Sequence, residues 1–166
     1  MKNGILVLVI FLYFTANSQN LIPEREAFKL TLAVDNENYY STLVKKSPYF
    51  IEEKILQIYP SEKLNVEVEI QFNKIHTMKV VRQNINPERT ITIEFKQETK
   101  GNLHDGMALI VFNPFNKNLK YDAEMFLVGG EKWLPTSIIA IPPGIPSYEM
   151  WRDTIVTLIL SDWRFE

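Results

Sequence analysis

Apolar and polar residues alternate along much of this chain. Across residues 64–72, Leu64, Val66, Val68, Ile70 and Phe72 fall on one face, and Asn65, Glu67, Glu69 and Gln71 on the other. Side chains of a strand point alternately to its two faces, so this period of two predicts a strand with one buried and one wet face. Residues 28–34 repeat it with Phe28, Leu30, Leu32 and Val34, and 90–95 with Ile91, Ile93 and Phe95. Residues 119–127 do so with Leu119, Tyr121, Ala123, Met125 and Leu127. Two runs, 107–112 (MALIVF) and 155–160 (IVTLIL), are apolar on both faces and read as central strands. Residues 134–141 predict another strand, with Pro135 marking its start or a sheet edge. Residues 75–82 give a weaker one.

Turn-forming residues punctuate these runs. Lys100-Gly101-Asn102 and His104-Asp105-Gly106 precede the MALIVF strand. Residues 113–118 read as a hairpin loop, and Gly129-Gly130 as the next hairpin turn. Pro142-Pro143-Gly144-Ile145-Pro146 is a rigid connection. One segment supports two readings. Ser47-Pro48 looks like a helix cap and first position, and Ile51, Ile55 and Ile58 follow at helical spacing, which predicts a short helix near 48–58. Residues 55–59 read equally well as a short strand before Pro60. Seven or eight short strands with frequent turns predict an all-β fold, an immunoglobulin-like antiparallel β-sandwich, with a small antiparallel barrel as the alternative. No repeat or linker divides the chain.

The N-terminus reads as an address. Lys2 precedes an uncharged apolar run over 4–14, and small or polar residues follow at Thr15, Ala16, Asn17 and Ser18. This is the layout of a signal peptide, with cleavage expected after Ser18. The run is short of the roughly 20 residues a spanning helix needs. Residues 19–166 then form a single domain, exported to the periplasm or the cell exterior, with no membrane span after cleavage. Cleavage removes one basic residue, Lys2, and leaves 17 basic against 20 acidic residues, a net charge of −3. That balance argues against a nucleic-acid partner. With 46% hydrophobic and 23% charged residues, the chain is a folded globular protein. It has no cysteine, which removes disulfides, thiolate metal sites and thiol nucleophiles. An exported domain without disulfides must rest on its core.

Several short stretches carry a resemblance. They are Asn113-Pro114-Phe115-Asn116, Glu131-Lys132-Trp133, Ser137-Ile138-Ile139, Tyr148-Glu149-Met150-Trp151 and Leu160-Ser161-Asp162-Trp163, with Asn17-Ser18-Gln19-Asn20 at the end of the leader. Together they resemble uncharacterised exported proteins of Bacteroidota-type bacteria. The resemblance covers the C-terminal third and the leader, and it implies export but no activity and no catalytic residues.

Candidate chemistry is sparse. The two histidines, His76 and His104, stand in no metal-binding or hydrolase motif. Six glycines form no phosphate-cradling loop. Asp35-Asn36-Glu37-Asn38 is the densest oxygen cluster, read as a polar turn because the EF-hand spacing and glycine are missing. Glu67 with Glu69, and Asp122 with Glu124, pair on strand faces and read as solvated charges. No cofactor and no metal is expected. The aromatics are the better lead. Trp133, Tyr148 and Trp151 cluster in the C-terminal part, where an exposed platform of rings would stack on sugars. Phe126 faces outward and marks either a partner patch or a second buried face. The expectation is an exported, non-catalytic binding or accessory module of the bacterial cell envelope, with an envelope protein or a glycan as partner. The alternative is a carbohydrate-binding module whose Trp/Tyr platform is Trp133, Tyr148 and Trp151.

Overall fold

A computed structural model of the chain describes residues 20–166. The expected signal peptide, residues 1–18, lies outside them. The first strands in chain order are β1 (Glu24–Arg25), β2 (Phe28–Ala33), β3 (Tyr39–Val44), β4 (Ser47–Pro48), β5 (Phe50–Glu52), β6 (Ile55–Ile58) and β7 (Glu62–Gln71). They continue with β8 (Lys74–Val81), β9 (Thr90–Lys100), β10 (Leu103–Phe112), β11 (Leu119–Leu127), β12 (Leu134–Thr136), β13 (Pro146–Trp151) and β14 (Ile155–Phe165). One sheet runs β13-β10-β9-β7-β8 and the other β12-β11-β14-β6-β5, every pair antiparallel. Both sheets keep free edge strands, so they form a β-sandwich and not a barrel.

The main core lies between these sheets. Val66, Ile91, Ile93, Phe95, Met107 and Leu109 come from one, and Leu56, Ile58, Leu119, Tyr121, Leu158 and Leu160 from the other. The alternating strands therefore bury the faces their patterns predict. The two doubly apolar runs are central, in β10 and β14. In β7 the alternation outruns the core. Leu64, Val66 and Val68 are buried, but Ile70 is exposed. Phe72 is 98% exposed, in a two-residue turn whose Phe72 and Asn73 both take positive φ, 50° and 63°.

The short helix near 48–58 is not formed: the segment is β4, β5 and β6. Lys54 at φ 60° reverses the chain between β5 and β6, and Leu56 and Ile58, two apart, enter the core while Ile51 stays exposed. Pairing of β6 with β14 satisfies its backbone and outweighs a helical spacing that would have buried Ile51. The 113–118 loop is not a hairpin either, because β10 and β11 lie in different sheets. Asn113, fully buried, holds that crossover: its amide donates to the carbonyls of Lys117 and Ile141 at 2.8 Å each and its side-chain oxygen accepts from the Phe115 N–H. In 134–141 only Leu134–Thr136 is a strand, and Pro135 sits on a sheet edge as expected. Gly106 is a bulge inside β10 rather than a turn before it; at φ 147° a Cβ there would stand 3.0 Å from the Trp151 carbonyl.

A second, smaller core lies outside the sandwich. The β2–β3 hairpin lays Leu30, Leu32 and Val44 on the outer face of the β11–β14–β6 sheet, against Val156, Phe126, Val128 and Tyr59. Phe126 is thus half-buried under a third layer, which answers the second of its two expected roles.

One buried charge ties these layers together. Arg25 is 2% exposed and has five N–H groups, all of them bonded. Nε and Nη2 donate to the Glu62 carboxylate at 2.9 and 3.4 Å, Nη1 to the Ser47 hydroxyl and the Pro48 carbonyl at 3.0 Å, and Nη2 also to the Gln57 carbonyl at 2.6 Å. Its plane lies against the rings of Tyr49 and Tyr59, 4.7 and 5.0 Å from their centroids. Arg25→Ala should lower the unfolding free energy by about 3–5 kcal/mol, since it strands Glu62 in a desolvated site. The double replacement Arg25→Met, Glu62→Leu should lose less than the single one. Urea denaturation checks both, and an Arg25→Ala midpoint equal to wild type would contradict the assignment.

Candidate functional site

Tyr59 links the Arg25 network to the surface. Its ring meets Arg25 on one side and the edge of Phe28, at 6.0 Å and 84°, on another. Desolvation pushes its phenol pKa above the ordinary value. With Val156 and Thr157 it floors a groove of about 310 Å³ on the outer face of the second sheet. One wall is β3, through Tyr40, Thr42 and Leu43; the other is Phe126 and Trp133, whose rings lie 5.4 Å apart at 60°. Lys45 closes one end. The lining mixes aromatic and aliphatic side chains with the polar groups of Thr42, Lys45 and Thr157, which can orient a ligand.

The hairpin that makes the first wall is locked at its far end. The Gln97 side chain imitates a strand, accepting from the Ala33 N–H at 2.9 Å and donating to the Ala33 carbonyl at 2.7 Å. Its second amide hydrogen reaches His104 Nδ1 at 2.8 Å, and His104 Nε2–H donates to the Arg152 carbonyl at 2.8 Å. Both ring nitrogens of His104 are therefore used in structure, and neither is free as a base or a ligand. His76 is exposed on β8, an edge strand.

Of the three aromatics singled out in the sequence, Trp133 is in the groove. Tyr148 and Trp151 lie on β13, three positions apart, and so face opposite ways. Tyr148 is 64% exposed on the outer face of the first sheet. Trp151 packs against the main core and donates from Nε1 to the Thr136 hydroxyl at 2.8 Å. The three do not meet on one surface. Trp163 is buried, tilted 31° to Tyr121 at 4.5 Å. The Tyr121 hydroxyl is buried without a hydrogen-bond partner, and desolvation pushes its pKa up strongly. Sequence reasoning missed Tyr59 and Phe126 as groove residues. Phe126 alone carried a signal, an apolar side chain on the outward face of an alternating strand.

The oxygen-rich residues have structural partners. Asp35 Oδ1 accepts from the backbone of Glu37 and Asn38, and the Asn38 amide bonds both carboxylate oxygens at 2.9–3.0 Å. These bonds, the Asn38 side chain foremost, hold the Asp35 pKa below its usual value and close the β2–β3 turn. Asp122 pairs with Arg164 at 3.0 Å on the surface. Among the described residues no three acidic, histidine or cysteine side chains gather as a metal site, and no helix is long and apolar enough to cross a membrane.

Compared with protein-family models, curated proteins and solved structures, the chain matches none of them.

Glu67 is the one buried carboxylate of the two strand pairs, and its partner Glu69 is exposed. Glu67 accepts from the Asn86 amide at 2.6 Å, and Lys79 and Arg89 approach at 2.9 and 3.4 Å. Burial disfavours its charge, but these three partners outweigh burial and its pKa falls below 4.5. The unfolded chain therefore takes up this proton first as the pH drops. The stabilisation is present above about pH 4.5 and fades as the pH falls through the lowered folded value. Glu67→Gln should reduce stability at neutral pH and flatten its decline in acid. Urea midpoints from neutral pH down to about pH 3 check this, and an unchanged acid slope would contradict it.

Proposed function

We propose that this chain is an exported, non-catalytic binding or accessory module of the bacterial cell envelope, and that the groove beside β3 is its ligand seat. The observation that carries this reading is the meeting of Tyr40, Tyr59, Phe126 and Trp133 in one open groove. The frame behind them is rigid: Tyr59 is held by Arg25 and the hairpin by Gln97. Aromatic side chains supply large contact area at low entropic cost. The leader over 1–18 supports export, and an envelope protein or a glycan fits such a location.

The second reading is a carbohydrate-binding module, and the half-exposed ring of Trp133 favours it. In that reading Trp133 and Tyr40 would stack on the sugar, while Tyr148 and Trp151 would stay outside the contact.

Two measurements test these readings. Expressed in full in a Gram-negative host, the chain should be recovered from the periplasm with Gln19 at its N-terminus by mass spectrometry; a cytoplasmic chain that keeps residues 1–18 would refute export. Tryptophan emission and acrylamide quenching, with soluble polysaccharides and then with solubilised envelope proteins, should show Trp133 becoming protected with one ligand class. Trp133→Ala should weaken that binding by about tenfold or more, as truncating an aromatic hot spot does. Binding that survives Trp133→Ala and Phe126→Ala unchanged would move the seat elsewhere.

A further inference from the structure

The third layer of this fold is a two-stranded hairpin with one unpaired edge. Opposed pairs in an antiparallel ladder alternate between hydrogen-bonded and non-bonded. In the hairpin, the Val34 N–H donates to the Asn38 carbonyl at 3.0 Å, so pairs at even-numbered positions, Leu32 with Tyr40 and Leu30 with Thr42, are the bonded ones. The N–H and C=O of Ala33, an odd position, must then point away from β3, and Gln97 takes both of them. By the same alternation, the N–H and C=O groups of Tyr39, Ser41 and Leu43 point away from β2. Among the described residues no strand pairs with that side of β3. One edge of the hairpin is thus capped, and the other is open along the groove.

This open edge also lacks the usual protection. Edges are commonly blunted by charge, proline or a bulge. The other edges follow that rule, with Lys74 and Lys79 on β8, Pro135 on β12, Glu52 and a bulge on β5, and Pro146 on β13. Tyr39–Val44 has none of these, and its Leu43 is 66% exposed.

We infer that the groove takes an extended peptide segment of a partner protein, which adds to β3 as a third strand of the hairpin layer. An added strand lies about 4.8 Å from its neighbour, and packed layers stand about 10 Å apart. It would therefore run over Phe126 and Trp133 and lower every second side chain onto them. Charge constrains the two ends. Lys45 stands at one end of the groove, and Asp35 and Glu37 lie in the turn beyond the other end of β3. An antiparallel segment with an acidic residue at its start and a basic one at its end matches both. This inference rests on the groove being the ligand seat.

The probe is a synthetic octapeptide alternating valine and threonine, with aspartate first and lysine last, added to the purified chain. Amide exchange should slow by about tenfold or more at Tyr39, Ser41 and Leu43, and change little at Tyr40 and Thr42, whose amides already pair with β2. Methylating alternate peptide nitrogens, or replacing both end charges by serine, should weaken binding by about tenfold. Ser41→Pro, which deletes one outward N–H, should do the same; the exchange data on the unaltered chain stand where that variant fails to fold. Four results would overturn the inference. One is peptide binding that leaves the three amides unchanged. Another is no binding at millimolar peptide while a polysaccharide protects Trp133, which leaves the groove as the seat. A third is protection of the same amides without peptide, rising with protein concentration, which would make the occupant a second copy of this chain. The fourth is a groove that responds to neither peptide nor glycan, which would remove the seat itself.

Discussion

The fold turns on a guanidinium buried between two tyrosine rings. Arg25 reaches β4, β6 and the first residue of β7, strands that belong to three different sheets. A buried ion pair is not in itself a source of stability, because desolvating two charges cancels much of their attraction. Its effect is on choice. With five donors in a fixed plane, Arg25 accepts one arrangement of Ser47, Pro48, Gln57 and Glu62 and leaves any other with an unpaired buried charge. Glu62 extends the constraint by accepting from the Tyr59 N–H at 2.8 Å. The crossover between the sheets and the floor of the groove are therefore set by one network.

From that network the surface follows. Tyr59 supports Phe28 and so the start of the hairpin, while Gln97 and His104 hold its other end. The hairpin covers part of an apolar outer sheet face and leaves Phe126 and Trp133 half-covered. A sandwich needs only two layers to bury one core. The partial third layer goes beyond that need, and it buries a second apolar cluster of Leu30, Leu32, Val44 and Val156. The polar side chains Asp35, Glu67, His104 and Asp122 all have structural partners.

Much of the sandwich was legible in the chain. The faces of β7, β9 and β11 and the central places of β10 and β14 are written in alternation and in doubly apolar runs, which are local signals. Other features were not legible. Glu24-Arg25-Glu26 looks like an ordinary charged surface segment, and nothing near it announces a buried arginine. Trp133, Tyr148 and Trp151 lie close in sequence, yet the backbone turns Tyr148 and Trp151 to opposite faces of one strand and places Trp133 in another layer.

By itself, then, the amino-acid sequence determined the class of the fold, most of its strands and which face of each is buried, because a period of two depends only on neighbouring residues. The tertiary structure decided whether 48–58 was helix or strand, since pairing with β14, about a hundred positions away, supplies the missing hydrogen bonds. It also decided which charge is buried and where the groove lies. Arg25 meets Glu62 across 37 positions and Ala33 meets Gln97 across 64. Contacts of that range have no periodicity to read, and they exist only once the chain has closed on itself.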